Sequence, residues 1–339
     1  FFFEQSHLKY KVMILKSILA CTLFWTFSCT SVTKIASQEI KTKKAEQNLT
    51  FSGKIPMLSV IVDQKQANFI FDTGATVSAL TDSTLVSDFK DKSFDFFLST
   101  KGADGKKEKN KKVTVGFSSS LFESPNKVLT FIKMPVPVCS SKKAYSGIVG
   151  MDVFFDQGLS LQMDFTNNFV ANISENELEK LIFDGQYKLV KSSCKLGQIK
   201  VYLIVDGVEY PFLLDTAYNG SIIFPDKEGL VFKNNSKMEL EGSVFQTVSN
   251  LTQGKETIYE KMPIRFSDCD LEVKINVSSS IKAQNIGIDF IKAFDWLIDY
   301  NNNKVYVKRN QNKIESTLKF IVELHLINNK NKLFTFLIT

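Results

Sequence analysis

Histidine is almost absent from this 339-residue chain, since the only two, His7 and His325, lie close to its ends. A long interior without histidine excludes Ser-His-Asp and Cys-His nucleophile systems and the usual histidine-bearing zinc sites. The sequence also has no phosphate-binding loop, no dinucleotide fingerprint and no cluster of metal ligands. We therefore expect no cofactor and no metal, which leaves carboxylates as the catalytic acids and bases.

Cysteine is scarce as well, and the net charge is small. None of the five cysteines has C-x-x-C spacing. Those of the interior, Cys139, Cys194 and Cys269, are interpreted either as three buried thiols or with one disulfide between Cys194 and Cys269. A net charge of +6 without a basic stripe predicts no nucleic-acid partner. The 44% of hydrophobic residues indicates a packed globule.

The beginning of the chain favours export. Residues 1–12 lack a structural pattern and are interpreted as an upstream or non-native segment. Residues 13–29 are similar to a bacterial lipoprotein signal peptide, with a positive Lys16, a short apolar run and a small residue before Cys29. Cys29 is therefore the lipidation candidate. Residues 30–48 are polar and lysine-rich, as in a linker between an anchor and a domain.

Other interpretations of this segment stay open. Thr26 and Phe27 stand where a lipidated cysteine is normally preceded by aliphatic or small residues, so plain secretion is an alternative. An uncleaved anchor or a core helix is another, although the apolar run is short for a membrane span. We expect an exported protein: a cell-envelope lipoprotein attached to the membrane through lipidated Cys29, or a periplasmic or secreted protein.

The centre of the chain carries a motif twice. The apolar residues 69–71 lead into Asp72-Thr73-Gly74, and residues 211–214 lead into Asp215-Thr216-Ala217. A hairpin precedes each motif, with predicted turns at residues 63–66 and 206–209. Each apolar strand would therefore deliver a carboxylate at its end.

The repeat extends to the end of each half. Residues 147–154 correspond to residues 285–291, and each segment precedes a hairpin with an Asn-rich turn. The sequence thus predicts an N-terminal lobe at 49–175 and a C-terminal lobe at 196–309. The connection at 176–195 contains most of a short helix predicted from Ser174 to Phe183, followed by a predicted strand from Tyr187 to Lys191. We assign no role to the tail at 310–339.

A polar hairpin is also predicted in each half, between the Asp motif and the closing segment. Its turns are placed at residues 102–105 in the first half and at residues 252–255 in the second. We interpret both hairpins as flaps over a cleft.

As a set, these motifs resemble the pepsin and retropepsin superfamily of aspartic peptidases, in its single-chain, two-lobed bacterial form. The resemblance covers roughly residues 45–309. It implies an all-β fold with two homologous β-barrel lobes, a central cleft and few short helices. By the same resemblance Asp72 and Asp215 form the catalytic pair, and Thr73, Gly74, Thr216 and Ala217 support the active-site loops, with the two threonines hydrogen-bonded across the lobe interface.

The resemblance implies an endopeptidase that acts as a monomer on a peptide or protein substrate. Two carboxylates in contact share one proton, so that the charged one activates water and the protonated one polarises the peptide carbonyl. The second motif departs from the family, because Ala217 replaces glycine and Tyr218 replaces a small or hydroxyl residue. A catalytically silent, peptide-binding envelope protein is therefore the alternative, and a purely structural envelope lipoprotein is a third interpretation.

Overall fold

The computed structural model describes residues 40–95, 100–133, 145–154, 158–195, 197–227, 230, 232–233, 237–246 and 251–310. In these ranges strands predominate and helices are few and short, so the all-β class predicted from the sequence is confirmed. The segments predicted as upstream residues 1–12 and as a signal peptide with Cys29, together with Cys139 and residues 311–339 of the tail, lie outside the described residues.

Strands of the first half build a nine-stranded sheet and part of a second sheet. The strands are β1 Lys41–Thr42, β2 Ala45–Asn48, β3 Thr50–Ser52, β4 Ile55–Val62, β5 Lys65–Phe71, β6 Ala79–Leu80, β7 Ser93–Asp95, β8 Thr100–Lys101, β9 Lys107–Glu108, β10 Lys111–Ser118, β11 Phe122–Phe131, β12 Gly147–Val149, β13 Leu159–Asp164 and β14 Phe169–Ser174. A helix, α1 Phe89–Lys92, precedes β7, and 3-10 turns lie at Ser83–Leu85 and Met151–Val153.

The nine-stranded sheet has the order β1-β11-β6-β12-β5-β4-β10-β7, with β3 added on β4 and a further pairing of β10 with β11. The predicted hairpin of β4 and β5 is present, with its turn at Asp63 and Gln64, whose φ angles are 45° and 75°. Such left-handed pairs match the twist of a two-residue hairpin. The last residues of β5, Phe69, Ile70 and Phe71, are all buried, so the strand ends inside the protein.

The second half repeats much of this arrangement. Its elements are α2 Glu175–Asp184, β15 Lys188–Val190, β16 Ser192–Lys195, β17 Gln198–Val205, β18 Val208–Leu214, β19 Ile222–Pro225, β20 Lys237–Gln246, β21 Leu251–Phe266, β22 Cys269–Ser278, β23 Asn285–Ile286, α3 Ile288–Ile291, β24 Phe294–Asp299 and β25 Lys304–Arg309. An eight-stranded sheet has the order β16-β17-β18-β23-β19-β22-β21-β20. The predicted turn between β17 and β18 is present at Asp206 and Gly207.

A third sheet joins the halves. Its six strands have the order β15-β25-β24-β13-β14-β2, and β13 of the first half pairs with β24 of the second through Leu161 opposite Ile298. One buried apolar cluster likewise contains residues of both halves, including Phe154 and Trp296. The prediction of two β-barrel lobes is therefore wrong in detail, because shared strands replace two self-contained closed barrels.

Two local predictions also differ from the structure. The linker predicted at 30–48 ends too late, because β1 and β2 already belong to sheets; β2 is polar since it lies at a sheet edge, where it pairs with β14. The turn predicted at residues 252–255 is wrong, because these residues lie inside β21. Gly254 serves close packing there: a Cβ would lie 2.2 Å from Ser280 Oγ.

Three further predictions concern a helix, a hairpin turn and a disulfide. The helix expected near residue 174 is present as α2, whose N-cap Ser174 forms a capping box with Glu177. The hairpin turn expected at residues 102–105 joins β8 to β9. Cys194 and Cys269 are free thiols, so the interpretation with a disulfide between them is wrong.

Candidate active site

In each half of the chain, a buried strand ends in an aspartate turn, and the two turns have the same hydrogen bonds. Asp72 follows β5, and its Oδ1 accepts hydrogen bonds from the N–H groups of Gly74 (2.8 Å) and Ala75 (3.0 Å). Asp215 follows β18, and its Oδ1 accepts from the N–H groups of Ala217 (3.1 Å) and Tyr218 (3.0 Å). Each carboxylate is thus fixed by the backbone of its own turn, with the same donors counted from the aspartate.

A neighbouring strand holds each turn from the other side. The Asp72 N–H donates to the Val149 carbonyl of β12 (3.0 Å), and the Asp215 N–H donates to the Ile286 carbonyl of β23 (3.0 Å). β12 and β23 run parallel to β5 and β18, which is why their ends meet the aspartates. The two segments that correspond in the sequence, residues 147–154 and 285–291, thus each supply the strand beside an Asp motif.

The structure brings Asp72 and Asp215 together. The turn of the first half lies so close to Asp215 that a Cβ on Gly74 would lie 2.9 Å from the Asp215 Cγ. Asp72 is buried, Asp215 is partly buried, and both line one cavity of about 790 Å³. The glycine of the first motif is thus required by close approach of the other half of the chain.

Thr73 and Thr216 join the two turns through reciprocal hydrogen bonds. The Thr73 N–H donates to Thr216 Oγ1 (3.0 Å), and the Thr216 N–H donates to Thr73 Oγ1 (3.1 Å). Their hydroxyls donate in turn to the carbonyls of Leu214 (2.7 Å) and Phe71 (2.5 Å), each in the opposite half. Both threonines are fully buried, so this four-bond network fixes the separation of the turns.

The surroundings of the two aspartates favour a shared proton. Burial, and then the charge of Asp215, raise the pKa of Asp72 above the usual range of aspartate, although the N–H groups of Gly74 and Ala75 oppose the shift. Burial also raises the pKa of Asp215, but less far, because it accepts hydrogen bonds from the N–H groups of Tyr218 and Ala217 and from the side chain of Asn285. The pair therefore titrates as one coupled system.

Residues 52–162 match the model of the retroviral aspartyl protease family. This match places that segment, which carries the first Asp motif, in the pepsin and retropepsin superfamily of aspartic peptidases. The resemblance noted in the motifs is confirmed to that extent. The matched segment includes Asp72 and ends well before Asp215. A search of curated proteins found no match.

Asn285 is the site residue that the sequence did not assign. Its Nδ2 donates to Asp215 Oδ2 at 2.7 Å, on the carboxylate oxygen that the turn leaves free. The signal was present, because Asn285 is a polar residue where the first half has Ile148 in the aspartic peptidase pattern. Only the structure shows that the amide turns toward the carboxylate.

The two departures of the second motif, Ala217 and Tyr218, leave the cavity between the aspartates open. Ala217 packs against an apolar cluster of the first half that includes Ile70 and Ile148. The ring of Tyr218 lies against the backbone of Gly220 and Gly287, where an added Cβ would come within 2.5 Å of it. Both residues therefore line the cavity, which keeps its volume of about 790 Å³.

A buried network supports the first turn from behind. The Ser78 N–H and hydroxyl donate to Asp152 Oδ1 (2.9 and 2.7 Å), and the Gly150 N–H donates to Ser78 Oγ (3.0 Å). Lys127 pairs with the other oxygen of Asp152 at 2.6 Å, and its side chain is only 5% exposed. At the equivalent position of the second half, Asp289 pairs instead with Lys54, an exposed residue of the first half.

Part of the cavity is covered by the first-half hairpin. The Lys282 N–H donates to the Ala103 carbonyl (3.0 Å), so the turn between β8 and β9 touches the second half. Val244 and Phe245 of β20 also line the cavity. The two predicted flap hairpins therefore both reach it.

The described part of the chain has neither a candidate metal site nor a candidate membrane-spanning helix. No group of three or more His, Cys, Asp or Glu side chains in these ranges is arranged to hold a metal ion. No helix there is both long and apolar enough to cross a membrane.

Proposed function

We propose that this chain is an aspartic endopeptidase that hydrolyses peptide bonds with water activated between Asp72 and Asp215. The observation that carries the proposal is the close approach of the two turns. A side chain at position 74 would not fit beside Asp215. Two carboxylates in such an enclosed site do not both ionise easily, and a dyad with one proton is the result.

The reaction follows from that single proton. The charged carboxylate removes a proton from a water molecule, whose oxygen forms a bond to the carbonyl carbon of the peptide. The protonated carboxyl gives its proton to the carbonyl oxygen, which stabilises the tetrahedral intermediate. Collapse of the intermediate breaks the C–N bond: the carboxyl that took the proton from water gives it to the leaving nitrogen, and the other carboxylate takes a proton from a hydroxyl of the intermediate. The dyad therefore again holds one proton.

A two-lobed origin by internal duplication is part of the proposal. It is supported by equivalent strand pairings, in which β12 lies beside β5 and β6, while β23 lies beside β18 and β19. The matching donors to Asp72 and Asp215 and the reciprocal threonine bonds also support it.

A peptide-library digest at acid to neutral pH tests the enzyme proposal. We expect cleavage by the wild-type protein that a pepstatin-type inhibitor blocks, and no cleavage by Asp72→Asn or Asp215→Asn. The matched control is Asp270→Asn, since Asp270 is exposed and remote in the β21–β22 hairpin, where it pairs with Arg265. Circular dichroism checks that every variant is folded. Equal cleavage by wild type and Asp72→Asn would contradict the proposal.

A peptide-binding protein without turnover is the second candidate, and Ala217 in place of glycine is the observation that favours it. In that case the same library would be bound but not cut at any pH. Isothermal titration calorimetry with a pepstatin-type inhibitor would then give binding, while mass spectrometry of the digest would give intact peptides.

Localisation and partners complete the proposal. We propose an exported monomer that acts on a peptide or protein substrate and is attached to the membrane through lipidated Cys29. Radiolabelled palmitate should enter the expressed wild-type protein and not Cys29→Ala, and light scattering of the purified protein should give the monomer mass. Labelling of neither protein would favour plain secretion.

A further inference from the structure

The two aspartates differ in one contact. Asn285 donates its Nδ2 hydrogen to Asp215 Oδ2 at 2.7 Å. The equivalent residue of the first half is Ile148, which packs in an apolar cluster with Met57, Ile70 and Ala79. Its side chain has no N–H or O–H group to donate. Among the described residues, Asp215 therefore accepts hydrogen bonds from three donors, whereas Asp72 accepts from the two backbone donors of its turn.

The extra donor favours one charge state of Asp215. An amide N–H at 2.7 Å from a carboxylate oxygen stabilises the ionised form, because hydrogen bonds to charged acceptors are the stronger kind. The same contact opposes protonation of Oδ2, the oxygen that the turn leaves free. Asn285 is only 5% exposed, and its Oδ1 has no partner among the described residues, so the amide gains nothing comparable elsewhere in that part of the chain.

We propose that Asn285 is a positioning residue that keeps the negative charge on Asp215 and the shared proton on Asp72. This inference rests on the proposed function for its catalytic meaning: Asp215 would take the proton from water, and Asp72 would protonate the carbonyl oxygen. One side chain outside both Asp motifs would then decide which aspartate is the base and which is the acid.

Other ionisable groups near the dyad do not remove this difference. Tyr218 lies on the Asp215 turn, and burial raises its pKa far above neutral pH, so the phenol stays uncharged. Asp289 is paired with Lys54 at 2.7 Å, Lys274 with Glu260 at 3.2 Å, and Glu256 accepts from Asn276 at 2.5 Å. The ionisable residues that line the cavity are Lys54, Asp72, Tyr145, Asp215, Tyr218, Glu256, Lys274 and Asp289.

A carboxyl titration tests the proposal without any turnover. The protein is labelled with ¹³C at aspartate side-chain carboxyls, and the two signals are assigned with Asp72→Asn and Asp215→Asn. We expect the step at lower pH to appear mainly on the Asp215 carbon and the step at higher pH mainly on the Asp72 carbon. The reverse order in the wild-type protein would overturn the proposal.

Removal of the donor provides the second measurement. In Asn285→Leu, which has nearly the same size, the lower apparent pKa of the dyad should rise by about 1 to 2, the usual effect of a charge-assisted hydrogen bond. The acidic limb of the kcat/KM profile should move by the same amount, which lowers kcat/KM about tenfold or more on that limb. An unchanged lower step in a folded variant would overturn the proposal.

A control contact of the same chemistry lies far along the chain from the dyad. Asn302 Nδ2 donates to Asp299 Oδ2 at 2.8 Å in the turn between β24 and β25. Asn302→Leu should therefore lower stability and leave both dyad steps unchanged. If the dyad titrates as expected but no peptide is cut, the proposed function fails and the assignment of the proton stands. If peptides are cut but Asn285→Leu leaves the acidic limb unmoved, the proposed function stands and the assignment of the proton fails.

Discussion

Thr73 and Thr216 form two hydrogen bonds with each other. The N–H of each residue donates to the hydroxyl oxygen of the other, at 3.0 and 3.1 Å. The two residues are 143 positions apart in sequence, and neither side chain reaches solvent. Because each hydroxyl also donates to a carbonyl of the opposite half, the separation of the two aspartate turns depends on this pair.

Thr216→Val should therefore destabilise the protein by about 2–6 kcal/mol. The change leaves two buried groups unpaired, the Thr73 N–H and the Phe71 carbonyl, and each unpaired group costs about 1–3 kcal/mol. Urea unfolding followed by circular dichroism measures the loss. Thr216→Ser is the matched control, since it keeps the hydroxyl and should stay within about 1 kcal/mol of wild type. Equal losses in both variants would contradict the role of the hydroxyl.

The sequence predicted these turns because their signals are local. An apolar run that ends in Asp-Thr requires only a buried strand and a turn, and both halves show it at Asp72 and Asp215. The strand β2 escaped prediction because its partner lies more than 120 residues away and its residues are polar, as edge strands allow. Gly254 misled the turn prediction, since its small size serves packing against Ser279 and Ser280.

The site was predicted less completely than the fold. Asn285 departs from the apolar pattern in sequence, but the partner of a side chain depends on register, and only the pairing of β23 with β18 aims it at Asp215. Lys54 gave no signal either, because its ion pair with Asp289 joins the turn between β3 and β4 of the first half to helix α3 of the second. Contacts that depend on long-range packing are not encoded in a local pattern.

Asp72→Asn should change how stability depends on pH. The native pKa of Asp72 lies above its value in the unfolded chain, so the native state binds more protons and stability falls as pH rises above about 4. Asparagine does not ionise and also relieves the repulsion at Asp215. The variant should therefore gain at least about 1 kcal/mol relative to wild type between about pH 4 and pH 8.

Urea titrations at several pH values measure this difference. Asp270→Asn, an exposed substitution, should keep a constant difference from wild type over the same range. A stability difference for Asp72→Asn that shrinks with rising pH would show that burial does not favour the protonated dyad.

Gly74→Ala and Ala217→Gly should have unequal effects although they exchange the same two residues. A Cβ on Gly74 would lie 2.9 Å from Asp215 Cγ, so one carboxylate must move, and a displacement of that kind costs about 100-fold in kcat/KM. Ala217→Gly removes a methyl group and adds backbone freedom, which costs about 0.5–1 kcal/mol of stability and leaves activity in place. Steady-state kinetics on one peptide compares the two; equal losses would contradict the asymmetry.

Lys127→Met should destabilise the protein far more than Lys54→Met. Both lysines pair with equivalent aspartates, Asp152 and Asp289, but the Lys127 side chain is 5% exposed and that of Lys54 is 55% exposed. Loss of one partner from a buried pair leaves an uncompensated charge and costs about 3–5 kcal/mol, whereas an exposed pair contributes at most about 1 kcal/mol. Thermal and urea unfolding measure both variants.

A second substitution distinguishes the effect of the unpaired Asp152 carboxylate on stability from the effect of lost packing at Lys127. Adding Asp152→Asn to Lys127→Met removes the uncompensated carboxylate, while the asparagine oxygen still accepts from the Ser78 N–H and hydroxyl. The double variant should therefore be at least about 1 kcal/mol more stable than Lys127→Met alone, because an unpaired buried charge costs more than a neutral amide. A double variant no more stable than the single one would mean that the lysine acts through its apolar stem.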